Sequence, residues 1–383
     1  MQESISLERV VDISSSPESL SITAQRIRLH CFRNYETLDL ELDSGFNVFA
    51  GPNAQGKTNL LEAVHFVSTT RLLRGQRDLE AIRFGSDSTK VELELAETRT
   101  VLGMSLERGS RKRATLNGLG MARASDLLGR LPCVCISGED MSMIRGEPAD
   151  RRMFLDLELS SLYPVYLRHL SVYKRSLEQR NALLRFAREN FVDSTAFEVW
   201  EDALAIHGSA LREMRMIYLE ELSPFATENH RWMGQGEVLE LAPETKDENL
   251  DEESLRRNLG ALRGQDIARG STTLGPHRDD LRILIGGVEA RLFGSQGQQR
   301  TSAIAIKLAT LEFAHQHWGF PPVLLLDDIL SDLDERRRSL LVELVSARAR
   351  QAILTCTEAN AAGPDILQKA RCFNIHSGKV SIS

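Results

Sequence analysis

The 383-residue sequence lacks any apolar run close to the roughly 20 residues that a helix needs to span a bilayer. Its N-terminal segment also lacks a basic stretch followed by an apolar one, which is the pattern of a secretion signal. We therefore expect no membrane span and a cytoplasmic location. Residues 1–21 are rich in serine and acidic side chains, have no hydrophobic periodicity, and are predicted to form a disordered tail.

Cysteine is scarce, and the five residues form neither an even set nor a C-x-x-C pair. Cys133 and Cys135 fall on one face of a predicted strand. They could act as a redox or metal-binding pair. Reduced thiols in the core of a cytosolic protein explain the same spacing, and we favour that interpretation.

An excess of positive charge is also missing, because the formal net charge is −7 and the isoelectric point is near 5.8. This excludes a protein that coats nucleic acid by bulk charge, although it leaves room for a local basic patch. The chain is otherwise balanced, with 42% hydrophobic and 26% charged residues, as in soluble globular proteins. Its length predicts two domains.

Two short segments concentrate basic residues. The tip of a predicted hairpin carries Arg111, Lys112 and Arg113. We expect this tip to contact a nucleic-acid backbone through its positive charge. A second set, spaced by three residues, consists of Arg71, Arg74 and Arg77. On a helical turn these three would share a face, which could be a solvated edge or a phosphate contact, and the sequence leaves both open.

The strongest positive feature is the stretch FNVFAGPNAQGKTNLLEAV at residues 46–64, which predicts a strand, a tight loop and a helix. The loop fits the phosphate-binding pattern G-x-x-x-x-G-K-[ST]. Its residues are Gly51, Pro52, Asn53, Ala54, Gln55, Gly56, Lys57 and Thr58. Glycines let backbone N–H groups surround phosphate oxygens, Lys57 supplies a cation, and the Thr58 hydroxyl can ligate Mg²⁺. An ordinary strand-turn-helix is the alternative, but the context favours ATP binding.

An apolar strand ending in Asp327 and Asp328 supplies the carboxylates that such a site needs. Asp327 is predicted to hold Mg²⁺ together with Thr58, and Asp328 to orient or deprotonate the attacking water. About 265 residues separate Thr58 from this strand, so we expect a second domain to be inserted between the two halves of the nucleotide site.

The segment SQGQQ at residues 295–299 is predicted to open a helix. It resembles the LSGGQ signature of ABC-type ATPases, and Ser295, Gly297 and Gln298 are its candidate ATP contacts. In that architecture the signature faces the nucleotide of a second subunit. The motif therefore predicts an ATP-dependent homodimer.

Two apolar seams with spacings of three and four, at residues 163–177 and 197–218, predict an antiparallel pair of helices. Each seam spans about three heptads, or about 30 Å. His207 falls on the second seam, where a packed core histidine is a simpler interpretation than a catalytic one.

Taken together, the motifs resemble the RecF family of bacterial recombination-mediator ATPases, which are related to the heads of SMC proteins. The matching segments are FRNY, GPNAQGKTNLLEAV, GEPADRRMFLD, YKRSLEQRNALL, GPHRDDL, GSQGQQRTSAIAIKLA and LLLDDILSDLD. The resemblance implies an α/β fold, an ABC-type ATPase head of two lobes with an inserted helical arm. It also implies ATP-dependent dimerisation on DNA, binding of single- and double-stranded DNA at gaps or junctions, slow ATP hydrolysis, and partnership with RecR and RecO. Roles in recombinational repair, replication restart and the SOS response follow from the same resemblance.

The predicted domains are a tail at 1–21, an ATPase half at 22–138, a helical insertion at 139–262 and a second ATPase half at 263–383. Two positions depart from the related ATPases. Ser137 stands where a Q-loop glutamine is expected, and Thr355 to Thr357 occupy the place of the switch histidine. We therefore expect weak ATPase activity, as in a switch.

The competing hypothesis is an ATP-driven DNA-processing enzyme or nuclease subunit, which would need a further metal cluster. The motif residues 277–280, His-Arg-Asp-Asp, have no partner elsewhere in the sequence with metal-ligand spacing.

Overall fold

The computed structural model describes residues 22–73, 77–234, 236–245 and 251–382, with the side chain of Asp332 left aside. The predicted tail at 1–21 and Arg74 lie outside the described residues. None of the helices formed by the described residues is long and apolar enough to cross a membrane.

The strands, in chain order, are β1 (Ala24–Phe32), β2 (Tyr35–Glu41), β3 (Phe46–Ala50), β4 (Ser88–Leu95), β5 (Val101–Glu107), β6 (Arg113–Leu116), β7 (Leu119–Gly120), β8 (Cys133–Ser137), β9 (Leu239–Glu244), β10 (Asp280–Ile285), β11 (Val288–Glu289), β12 (Val323–Asp327), β13 (Ala352–Cys356), β14 (Ala370–His376) and β15 (Lys379–Ile382).

The α-helices are α1 (Lys57–Thr69), α2 (Met141–Arg145), α3 (Pro148–Leu162), α4 (Pro164–Phe186), α5 (Thr195–Met233), α6 (Glu252–Ala261), α7 (Arg263–Arg269), α8 (Ala290–Phe293), α9 (Gln296–Trp318), α10 (Glu335–Arg348) and α11 (Pro364–Leu367). Short 3₁₀ helices occur at Asp78–Ala81, Ala124–Leu127, Gly138–Asp140, Ile329–Asp332 and Ala359–Ala362.

A six-stranded sheet in the order β15-β14-β3-β13-β12-β8 carries the nucleotide motifs. All neighbours except the edge strand β15 are parallel. Every residue of β3 is buried, as expected for a central parallel strand covered on both faces. Strands β3 and β8 precede the long helices in the chain, whereas β12, β13 and β14 follow them. The parallel sheet is thus completed only when both ends of the chain meet.

An antiparallel sheet in the order β2-β1-β4-β5-β6-β7 packs against α1. The period-two pattern of β1 places Ile27 and Leu29 in a core that also contains Leu60 and Phe66 of α1. Phe49 of β3 belongs to the same core, whereas its neighbour Val48 belongs to a second core with the long helices. The parallel sheet therefore lies between two hydrophobic cores.

Helices α4 and α5 form the expected antiparallel pair, and Tyr166, Leu170 and Tyr173 are buried along their seam. Helix α4 has 23 residues, but α5 has 39, which corresponds to about 58 Å rather than the expected 30 Å. The additional length packs along α9 and continues through Pro224. His207 is not a packed core histidine, because it is only half-buried and its Nδ1 lies 3.0 Å from Nδ1 of His169.

Candidate nucleotide-binding site

The phosphate loop joins the carboxyl end of β3 to the first turn of α1, as the motif predicts. Gly51 and Gly56 have φ values of +153° and +112°, in the region that favours glycine. A Cβ on Gly51 would collide with the backbone oxygen of Ile375, and one on Gly56 would lie 2.5 Å from Asn34 Nδ2. The loop conformation therefore requires both glycines of the motif.

Thr58 and Asp327, which are 269 positions apart in the chain, meet directly. The Thr58 hydroxyl donates to Asp327 Oδ1 at 2.8 Å, and the Thr355 hydroxyl donates to the same oxygen at 2.8 Å. The parallel register brings this about, since Asp327 pairs with Thr355 on β13 and with Ser137 on β8. A hydroxyl and a carboxylate at the end of a sheet are the hard oxygen ligands that Mg²⁺ prefers, so this pair fits the ion.

Lys57 is buried, and its ammonium group lies over the loop's own acceptors. Nζ donates to Gly51 O at 2.5 Å, to Pro52 O at 3.2 Å and to Asn53 Oδ1 at 3.3 Å. The cation is thereby held inside the curve of the loop, where phosphate oxygens bind in proteins with this motif.

Asp328 adopts a left-handed conformation with φ of +50°, which is uncommon for a residue other than glycine. Its backbone N–H donates to Thr355 Oγ1 at 2.9 Å, and its Oδ1 accepts from the Ser331 hydroxyl at 2.6 Å. Asp327 and Asp328 line a cleft of 480 Å³ together with loop residues. Ser137, Gly138 and Glu139 contribute to the same cleft.

Residues outside the phosphate-binding pattern also hold the loop in place. The buried Tyr35 hydroxyl donates to Gly56 O at 3.0 Å, and Asn34 Nδ2 donates to Gln55 O at 3.1 Å. The backbone N–H groups of Ser377 and Gly378 donate to Gln55 Oε1 at 2.6 Å and Gln55 O at 3.1 Å. Asn34 and Tyr35 belong to the FRNY segment, which is the sequence signal that could point to them.

The signature segment opens α9 through a reciprocal cap. Ser295 Oγ accepts from the N–H of Gln298 at 3.2 Å, while Gln298 Oε1 accepts from the N–H of Ser295 at 2.8 Å. Ser295 is exposed, and with Gln298 it lines a cavity shared with Arg337. Gly297 also faces Arg337, whose Nη1 would lie 3.1 Å from a Cβ at that position. Among the described residues, this cavity and the phosphate-loop cleft have no lining residue in common.

The basic hairpin tip forms as expected between the antiparallel strands β5 and β6. Arg111 and Arg113 are exposed. The ammonium group of Lys112 is instead engaged within the chain, because its Nζ donates to Thr70 O at 2.7 Å and pairs with Asp78 at 3.0 Å. Of the second basic set, Arg71 follows the end of α1 and Arg77 precedes a 3₁₀ helix, so these two do not share a helical face.

The cysteines are free thiols, and Cys133 and Cys135 of β8 both pack against the core that contains α1. Burial raises the pKa of Cys133 to about 12, so this thiol stays protonated. Within the described ranges, no group of three or more His, Cys, Asp or Glu side chains is arranged to hold a metal ion. The packing of both thiols against the core supports the core interpretation of the pair.

The carboxylates of the GPHRDDL motif are paired with arginines of the long helices. Arg212 of α5 binds Asp279 through two hydrogen bonds of 2.7 Å, and Arg151 of α3 binds Asp280 at 2.7 and 2.8 Å. His277 Nδ1 lies 2.6 Å from the Tyr173 hydroxyl of α4. The motif thus joins β10 and its preceding turn to three helices, which is a structural role.

A parallel sheet that unites a phosphate loop with a distant acidic strand, beside an antiparallel sheet and a helical arm, defines an ABC-type ATPase head of the kind found in SMC proteins. The family model for the RecF/RecN/SMC N terminal domain matches residues 23–364. The "DNA replication and repair protein RecF" of Oceanobacillus iheyensis is 36% identical over 368 residues, covering 93% of this chain and 99% of the relative. The protein of the same name from Symbiobacterium thermophilum is 39% identical over 370 residues, covering 92% and 96%. The chain belongs to the RecF family.

Solved structures agree with this assignment. The recombination mediator protein RecF-ATP, described as part of the RecFOR pathway, superposes with a TM-score of 0.88 and 31% identity over 96% of this chain and all of that one. The RecF-ATPrS structure gives 0.86 and 31% over 95% and 99%. The Smc head domain of Pyrococcus furiosus, at 16% identity and a TM-score of 0.54 over 94% and 96%, shares the fold.

Proposed function

We propose that the protein is an ATP-dependent DNA clamp of the RecF type, with a weak ATPase that acts as a switch. The observation that carries this proposal is the direct contact between Thr58 and Asp327 across 269 positions of sequence. It assembles the phosphate loop and the acidic strand into one cleft. The solved RecF-ATP and RecF-ATPrS structures support ATP as the nucleotide.

Magnesium fits the hydroxyl of Thr58 and the carboxylate of Asp327, which would hold it. When bound, the ion screens the negative charge of the phosphates. The chain's own contributions are the loop N–H groups and Lys57, which bind phosphate oxygens, and Asp328, whose carboxylate would orient a water molecule at the cleft.

Slow hydrolysis follows from the polar groups around that water. Ser137 has a shorter side chain than the glutamine of related ATPases, and the Thr355 hydroxyl is committed to Asp327. Asp328 is therefore the main candidate to activate water, with less help than in a transporter ATPase.

The dimer is proposed from the position of the signature segment. Ser295 is exposed at the N-terminus of a 23-residue helix and lies in a different cavity from the phosphate loop of its own chain. A second chain could therefore offer its Ser295, Gly297 and Gln298 to the γ-phosphate, so that ATP holds two subunits together.

Light scattering with and without ATP tests the clamp. Because Asp328→Asn should slow hydrolysis while leaving phosphate binding intact, the 42.9 kDa chain should double in mass with saturating ATP and stay monomeric with ADP. Asp193→Asn, an exposed aspartate between α4 and α5, is the matched control and should behave as wild type. If the Asp328→Asn variant remains a monomer in saturating ATP, the clamp proposal is wrong.

DNA contact is proposed at the exposed Arg111 and Arg113, with Lys112 supporting the tip from within. Charge reversal of both arginines should weaken DNA binding and flatten its salt dependence, because fewer counterions are released. Gel shifts on gapped, duplex and single-stranded DNA, each with and without ATP, would measure this. Cutting of labelled DNA in the same mixtures would instead favour the DNA-processing or nuclease alternative.

The cellular role is proposed from the family. We expect a cytoplasmic protein that acts with RecR and RecO in recombinational repair, replication restart and the SOS response, with residues 139–262 as its helical arm. A deletion strain should be sensitive to ultraviolet light, and Lys57→Ala should fail to restore survival. Co-purification of RecR with wild-type protein, dependent on ATP and DNA, would test the partnership.

A further inference from the structure

An open groove lies beside the phosphate loop, on the side of the antiparallel sheet, and encloses 970 Å³. Its lining includes four arginines, Arg33, Arg77, Arg83 and Arg108, against one carboxylate, Glu80. The same lining contains Phe84, which is 97% exposed. In a chain with a net charge of −7, this is a local concentration of guanidinium groups around an aromatic ring.

The exposed ring of Phe84 stands on an ordered turn. The N–H of Ser86 donates to Arg83 O at 3.0 Å, and Gly85 has φ of +83°, as in a type II turn with Phe84 at its second position. The turn is fixed to the sheet, because the N–H of Arg83 donates to Cys31 O at 2.8 Å. The side chain of Arg108 braces it from the neighbouring hairpin by donating to Ser86 O at 3.1 Å. An aromatic surface is thereby held in water, at a hydrophobic cost that the fold itself does not explain.

The arginines around the ring differ in how far they are engaged. Arg33 is held by Glu62 in a bidentate pair, at 2.7 and 3.0 Å, and so positions the β1–β2 turn. Arg83 lies 3.6 Å from Glu36, whose side chain is largely exposed, and Arg77 and Arg108 are exposed. Arg108 also begins the loop that carries Arg111. The groove thus reaches the first residue of the loop that carries the basic hairpin tip.

We propose that this groove binds an unpaired stretch of nucleic acid, with a base stacked on Phe84 and the flanking phosphates on Arg77, Arg83 and Arg108. The inference rests on the proposed DNA binding and adds that this surface selects single-stranded over double-stranded nucleic acid. Stacking on a side chain requires a free base face, which a duplex offers only at its ends, whereas guanidinium groups track any phosphate backbone. The exposed guanidinium groups of Arg77 and Arg108, next to the loosely paired Arg83, favour nucleic acid over a protein segment.

Fluorescence anisotropy tests the groove with two probes, an oligothymidylate of about 20 nucleotides and a blunt duplex of similar length. Phe84→Ala should weaken binding of the single strand about tenfold, since stacking on one aromatic side chain contributes on that order, and should leave duplex binding within about twofold. Phe84→Trp, which keeps an aromatic face, should bind the single strand as wild type does. Phe191→Ala removes another ring, 93% exposed between α4 and α5, and should change neither affinity.

The salt dependence separates stacking from charge. Phe84→Ala should keep the wild-type slope of log affinity against log salt, whereas Arg77→Gln with Arg83→Gln should make it shallower. Equal loss on both probes, or no loss with Phe84→Ala, overturns the proposal, as does a Phe84→Ala defect confined to capture of a protein partner. The two proposals can fail separately. If ATP does not double the mass but Phe84→Ala still weakens binding of the single strand, the clamp proposal is wrong and the groove proposal holds.

Discussion

Asp327 receives two hydroxyl groups on one oxygen, and the second of them, from Thr355, also accepts the N–H of Asp328. Thr355 therefore links the two carboxylates that motif reasoning placed in the site. In the sequence, this position is notable only because a switch histidine is missing there. The structure gives it a positioning role, since its methyl and hydroxyl are buried behind both acids.

Thr355→Val should lower kcat for ATP hydrolysis about tenfold and leave KM nearly unchanged. The isosteric change removes the hydroxyl that orients Asp327 and Asp328 but leaves the phosphate loop intact. Thr355→Ser should recover most of the rate, because it keeps the hydroxyl. A parallel loss of ATP affinity, or no rescue by serine, would show that the threonine acts only in packing.

His277 gives the protein an acid-sensitive contact. Burial lowers the pKa of His277 to about 4, and its Nε2 lies 3.1 Å from Thr272 O while Nδ1 meets the Tyr173 hydroxyl. The unfolded chain, with a pKa near 6.5, binds the proton more readily, so stability should fall as pH drops from about 6.5 towards 4. In that window His277 contributes a slope of up to about 1.4 kcal/mol per pH unit.

Urea unfolding at several pH values measures that slope. His277→Gln should be less stable at neutral pH but should show a shallower decline in acid. Because burial also lowers the pKa of His65 to about 4, a decline should persist in the variant. Curves that run parallel for wild type and variant would rule out the assignment to His277.

At the scale of elements, local signals predicted those parts of the fold that depend on adjacent residues. The glycines and the Lys57-Thr58 pair predict the turn into α1. The spacing of Ser295 and Gln298 predicts that a helix begins there, and it forms the cap of α9. The length of α5 could not be read from its seam, because the helix continues past Tyr218 on contacts with α9. The periodicity of apolar residues likewise places His207 on the seam, but it does not predict how far the side chain is buried.

The cap of α9 allows structure and function to be separated. Ser295→Ala removes the side-chain acceptor for the Gln298 N–H and should cost about 1 kcal/mol of stability. Asp251→Ala removes the equivalent cap of α6, where Asp251 Oδ1 accepts from Ser254 N at 2.8 Å, and should cost a similar amount. We expect only Ser295→Ala to reduce ATP-dependent dimerisation in light scattering. An equal effect from both variants would assign the loss to stability.

At the scale of the whole molecule, contacts between distant segments were the least accessible to sequence reasoning. Tyr35 and Asn34 reach the phosphate loop because the β1–β2 turn lies beside it, a placement that local patterns do not encode. The same holds for Arg180, fully buried in α4, which binds Glu201 of α5 at 3.0 Å and Asp266 of α7 at 2.7 Å. In contrast, a shared Mg²⁺ ion requires Asp327 and Thr58 to lie close together, and the structure brings them into direct contact.

Arg180→Met should destabilise the protein by about 3–5 kcal/mol, because it leaves the buried Asp266 without its cation and leaves Glu201 with Arg263 alone. Arg256→Met is the matched control, since its pairs with Asp202 and Glu252 are exposed and should contribute less than about 1 kcal/mol. Denaturant titrations of both variants measure the difference. Similar midpoints for the two would contradict a central role for the buried pair.

The position of β3 between β13 and β14 has a consequence for biosynthesis. Roughly 300 residues separate Ala50 from Ala352. At a translation rate of about 5–20 residues per second, about 15–60 s pass between the synthesis of β3 and that of its neighbour β13. During that interval an apolar strand with both edges unpaired is open to wrong pairing or to chaperones. A nascent chain therefore gains the capacity to bind ATP only late in translation, when its helical arm has already been made.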